Sequence, residues 1–91
     1  MALPSFRVLM APPEPGQAAE RRLGVTVSRK VANAVGRNRV KRLVREFFRR
    51  NKADWPAGDA VVIALTGAAE LDYESVRRQL GRVLVGPAAK G

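Results

Sequence analysis

The segment from Ala34 to Lys52 constrains this chain more than any other. It places Val40, Leu43, Val44, Phe47 and Phe48 among a dense set of cations. At about 100° per residue these five apolar side chains share one broad helical face. Asn38, Lys41, Arg42, Arg45 and Arg49 share the other, with Arg37, Arg39 and Arg50 at the boundary. The spacing therefore predicts an amphipathic helix with one face for the core and one for water or a partner. Asn33 has the chemistry of an N-cap. Glu46 lies one helical turn from both Arg42 and Arg50, so it is expected to support the helix through ion pairs with them.

The rest of the chain reads as short strands and one more helix. Phe6 to Ala11 predicts a strand, ended by a loop containing Pro12, Pro13, Pro15 and Gly16. Leu23, Val25 and Val27 alternate with Gly24, Thr26 and Ser28, the period of a half-buried strand. Their closeness in sequence predicts that these two strands pair as a hairpin. After Pro56-Ala57-Gly58, the run Val61-Val62-Ile63 within Asp59 to Thr66 predicts a buried strand, ended by Gly67. Asp72 is expected to cap a second helix whose Tyr73, Val76, Leu80, Val83 and Leu84 recur at helical spacing, with Gly86-Pro87 as its stop. The expected architecture is α+β: a small sheet with a hairpin, a basic central helix in a β-α-β crossover, and a C-terminal helix packed on the sheet. With 91 residues there is room for a single domain, with an ordered core over about 6–85 and flexible termini.

Charge is concentrated in the same place. The chain holds 17 Lys and Arg against 8 Asp and Glu, a net of +9. Residues 21–52 hold nine arginines and three lysines against Glu46 alone, a net of +11, and each flank sums to −1. Arginine dominates, and its planar fork grips phosphate oxygens two at a time. A polyanionic partner is the expectation. There is no cysteine or histidine, which excludes disulfides, Cys/His zinc sites, thiol nucleophiles and histidine-dependent triads. Asp54, Asp59, Glu70, Asp72 and Glu74 are scattered without a metal-binding spacing, so no residue is assigned a catalytic or metal-ligating role. No apolar run is long enough to span a bilayer, and a cytoplasmic location is expected.

The stretch from Val25 to Glu46 closely resembles the bacterial ribonuclease P protein subunit. The core of the resemblance is Arg37-Asn38-Arg39-Val40-Lys41-Arg42, continuing to Arg45-Glu46. Its ordered context extends over roughly residues 22 to 85, from the preceding strand to the second capped helix. The resemblance implies a subunit that binds ribonuclease P RNA and precursor tRNA so that the 5′ leader is cleaved. The active site and its Mg2+ ions are then expected on the RNA, with no cofactor on the protein alone and a monomeric free protein. It also implies a left-handed crossover through the basic helix, against the usual hand. Members of that family usually begin with a basic helix and a short strand, which this chain is expected to lack.

Carried over residue by residue, the motif assigns RNA binding to Arg37, Asn38, Arg39, Lys41, Arg42 and Arg45, and the helix face adds Arg49. Arg29 and Lys30 extend the same positive surface just before the helix. Asn38 has two readings, an RNA contact or a local hydrogen bond that steadies the helix start. Arg39, nearer the boundary, has a second reading as a bond to the sheet or a loop. Phe6, Val8 and Ser28 are the candidates for the cleft that receives the leader, Ser28 doubling as a strand-end cap. Trp55 reads as an anchor of the helix-to-strand connection in preference to a base-stacking platform. Two rivals remain: a general structural RNA binder of ribosomal-protein type, and a helix that binds anionic membranes with Phe47 and Phe48 exposed.

Overall fold

The computed structural model describes residues 1–16 and 20–85. Its elements are β1 (Phe6–Ala11), β2 (Arg21–Thr26), α1 (Ala34–Arg50), β3 (Gly58–Ala64) and α2 (Tyr73–Val85). Short 3-10 turns at Lys52–Asp54 and Ala68–Glu70 link α1 to β3 and β3 to α2. The expected stop at Gly86-Pro87 lies outside the described residues. The α+β class and its element order follow the sequence reading, and both helices begin at their expected caps. The Asn33 side chain accepts from the Gly36 N–H at 2.8 Å, and Asp72 Oδ1 accepts from the Ser75 N–H at 2.8 Å.

The strand pairing corrects the sequence reading. The sheet order is β1-β3-β2, so β1 and β2 form no hairpin with each other. β3 runs antiparallel to β1 and parallel to β2, with Val62 opposite Val8 on one side and Val25 on the other. The cause is a competition for the middle of the sheet. The Val61-Val62-Ile63 run gains most from two neighbours. The segment from Pro12 to Glu20, with its three prolines, is too long and stiff for the tight turn of a two-strand ribbon. β2, α1 and β3 then form the expected β-α-β unit, and β1 takes the open edge of β3.

One face of the sheet holds the core. Phe6, Val8, Ala60, Val62 and Ala64 point to the same side and are buried with Val40, Val44 and Phe47 of α1 and Val76, Leu80 and Val83 of α2. Full burial of a valine, leucine or phenylalanine side chain contributes about 1.5–3 kcal/mol. Trp55 is buried as the connection anchor, its ring edge-on to Phe48 at 5.2 Å and Phe47 at 6.4 Å. The Arg21 Nε–H donates to the Trp55 carbonyl at 2.6 Å, which ties this connection to the start of β2. Ahead of β1 the chain folds back on itself: Val8 N–H donates to the Met1 carbonyl at 2.9 Å, and Leu3 is buried in the core.

Gly58 opens β3 at φ +106°, where an added Cβ would lie 2.1 Å from the Ala11 carbonyl oxygen. Gly16 has φ +88° with nothing within 4 Å of the same position. The left-handed conformation alone costs a non-glycine residue about 1–2 kcal/mol. Gly16→Ala is therefore expected to lose about 1 kcal/mol. Gly58→Ala must also push β1 from β3 and is expected to lose at least about 3 kcal/mol. Denaturant midpoints of the two variants check the order, and equal losses would contradict the close approach at Gly58.

Candidate nucleic-acid interface

Helix α1 begins tightly. Gly36 sits where an added Cβ would come within 2.8 Å of the Ala32 side chain, so the entry into the helix closes only around a glycine. No acidic residue occupies the first turn, and the last turn is basic. The packing of Val40, Val44 and Phe47 then fixes the helix rotation, with Leu43 and Phe48 half-buried beside them. On the far side, Asn38, Arg42, Arg45 and Arg49 are exposed and lie in a single stripe. At 1.5 Å per residue this stripe runs about 16 Å along the helix. Together with Lys41 and Glu46 these residues line a shallow groove along α1.

Hydrogen bonding divides the cations into two groups. Arg37 Nη1 donates to the Ala32 carbonyl at 3.1 Å, and Arg39 Nη1 to the Ala69 carbonyl at 2.9 Å. The first bond braces the helix entry. The second ties α1 to the turn that precedes α2, which is the loop-bonding reading of Arg39. Arg50 lies over the Tyr73 ring at 5.2 Å and so joins the end of α1 to the start of α2. Arg42, Arg45, Lys41 and Asn38 make no side-chain hydrogen bond or ion pair among the described residues. The local bond that would steady the helix start is made by Asn33 instead of Asn38.

Glu46 departs from the expected pairing. It bonds Arg49 at 2.7 Å and Arg50 at 2.6 Å, and Arg42 stays free. Helical side chains lean toward the N-terminus, so Arg49 and Arg50 reach back to an acid one turn before them, while Arg42 leans away. Hydrogen bonds from Arg49, then Arg50, hold the Glu46 carboxyl below the usual carboxylate range. This support is present above the ordinary carboxylate pKa and is lost as pH falls through the lowered one. The Ser75 N–H lowers the Asp72 carboxyl in the same way at the start of α2.

Among the other sequence candidates, Ser28, Arg29 and Lys30 are exposed on the turn between β2 and α1, where the Ser28 carbonyl accepts from the Val31 N–H at 3.1 Å. Phe6 and Val8 are corrections. They are 0% and 1% exposed, sealed beneath the helices, so neither side chain lines a surface cleft. Alternation turns Arg7 and Leu9 to the open face instead, where Leu9 is 52% exposed beside its partner Val61 on β3. Trp55, buried between β2 and α1, offers no face to a base, and Phe47 is likewise internal. That burial counts against the membrane-helix reading. No helix among the described residues is long and apolar enough to cross a membrane. The helix also exposes one large hydrophobic that was not among the sequence candidates: Val35, on the same side as Arg42.

The chain and its fold have counterparts among known proteins. The family model described as Ribonuclease P matches residues 2–86. The chain is 52% identical over 63 residues to the ribonuclease P protein component of Geotalea uraniireducens, covering 69% of this chain and 56% of that protein. It is 45% identical over 78 residues to the one from Brevibacillus brevis, covering 85% of this chain and 61% of that protein. The chain thus spans little more than half the length of these curated relatives. Among solved structures, the RNase P protein of Thermotoga maritima superposes with a TM-score of 0.80 at 39% identity, covering 92% of this chain and 78% of that one. The Staphylococcus aureus RNase P protein gives a TM-score of 0.80 at 34% identity, covering 92% and 75%.

The pairing of Glu46 predicts that it restrains the interface. Glu46→Gln should release Arg49 as an additional phosphate contact. The slope of log affinity against log salt for a structured RNA should then steepen by about 0.7–0.9. An unchanged slope would show that Arg49 never reaches phosphate.

Proposed function

The chain belongs to the ribonuclease P protein family, and from that premise we propose that it acts as the protein subunit of a ribonuclease P ribonucleoprotein. In this reading α1 binds the catalytic RNA, the assembly helps to hold precursor tRNA, and removal of the 5′ leader is carried out by the RNA. The observation that carries it is the group of unpartnered cations, Arg42 and Arg45 on the exposed stripe with Lys41 at its side, on a helix whose opposite face is locked in the core. A rigid helix holding several cations on its outer side meets neighbouring phosphates without first ordering a loop, so little affinity is lost to immobilisation. Asn38 adds an amide that both donates and accepts, suited to a base edge or a 2′-hydroxyl. Arg29 and Lys30 extend the contact at the helix entry, and Ser28 remains available to a phosphate oxygen. Arg37 and Arg39 hold the helix in place.

The same reading assigns magnesium chemistry to the RNA. Among the described residues no three carboxylates lie close enough together to hold an ion. Glu46 and Glu74 are occupied by arginines and Asp72 by the α2 N-terminus. The protein's part is to neutralise phosphate repulsion, which lowers the magnesium the assembly needs. A general structural RNA binder would use the same electrostatics without serving a ribozyme.

Cleavage of a precursor tRNA by a bacterial ribonuclease P RNA at low magnesium separates the two. Addition of this chain is expected to stimulate cleavage at the leader junction, and the protein without the RNA is expected to cleave nothing. Tight binding with no stimulation would favour the general RNA binder. Absence of both would overturn the proposal.

A further inference from the structure

Val35 stands at the N-terminal end of the cationic stripe with 78% of its surface exposed, the most of any large hydrophobic among the described residues. The fold gains nothing visible from it. It lies outside the core cluster, and a β-branched residue is a poorer helix former than alanine. A lone exposed apolar side chain needs no explanation in general. The position of this one does. With Asn38, Arg42, Arg45 and Arg49 it falls within an arc of about 80° around the helix axis. The first turn around it carries no acidic residue that would repel a polyanion. A phosphate gains nothing from an isopropyl group, whereas a ribose edge or an unstacked base presents apolar surface at the same depth as the phosphates beside it.

We propose that Val35 makes an apolar contact with a ribose or nucleobase face of the bound RNA and so fixes the register in which the arginines of α1 meet the phosphates. The proposal rests on the reading of α1 as the RNA-binding face. It adds to that face a component of different physics. Contacts by Arg42 and Arg45 release counterions and weaken with salt, while burial of the Val35 methyl groups does not.

The test is a salt series of affinities for a bacterial ribonuclease P RNA, comparing the full chain with its Val35→Ala and Arg45→Ala variants. Val35→Ala is expected to bind about 3- to 10-fold more weakly at every salt concentration, with an unchanged slope and an unchanged or raised melting temperature. Arg45→Ala is expected to flatten the slope by about one. Parental binding by Val35→Ala beside a flattened slope for Arg45→Ala overturns the role of Val35 and leaves the interface standing. Parental behaviour of both variants overturns the interface itself. A changed slope or lower melting temperature for Val35→Ala also overturns the proposal, because the residue would then act through the helix.

Discussion

The packing of Val40, Val44 and Phe47 against the sheet decides where every cation of α1 points. A helix is a rigid rack, so fixing three side chains on one face fixes the azimuth of all the others to within a few tens of degrees. Trp55 strengthens this constraint from the far end, filling the space beside Phe47 and Phe48 and holding the connection to β3. The same rotation that buries these rings presents Asn38, Arg42 and Arg45 as a line. Core and interface are two faces of one element, and neither can be altered without reference to the other.

A helix with this much like charge needs places to put it. The fold does so by giving some of its arginines protein acceptors: Arg37 and Arg39 use backbone carbonyls, while Arg49 and Arg50 share Glu46. The remaining cations sit together on the outer face, where only solvent or a polyanion relieves their repulsion. Two of the anchored arginines also join elements, since Arg39 and Arg50 link the two ends of α1 to the approach and the start of α2. A motif that reads in sequence as one continuous basic patch thus divides into a part that builds the scaffold and a part left open.

The helices were legible because their signals are local: period and N-cap residues lie within a few turns. The strand pairing was not. Nothing in Phe6–Ala11 or Leu23–Thr26 says that a later Val/Ile run will outcompete each as partner for the other. Alternation correctly groups Phe6 with Val8 and separates them from Leu9, yet it is silent on which face the helices cover. That is why two core residues read as cleft residues. Spacing alone pairs Glu46 with Arg42 and Arg50, and the lean of helical side chains puts Arg49 in place of Arg42. Val35 is one more apolar residue in sequence, and only the fold distinguishes it by leaving it exposed.

The central claim, that hydrogen bonding splits the arginines of one motif into scaffold and contact, is tested most directly by comparing Arg39→Ala with Arg42→Ala in two readouts. Thermal unfolding reports the scaffold and the salt dependence of RNA affinity reports the contact. Arg39→Ala is expected to lower the melting temperature by about 5 °C and to keep the parental salt slope. Arg42→Ala is expected to keep the melting temperature and to flatten the slope by about one. Equal flattening by both variants, with no difference in melting, would contradict the division.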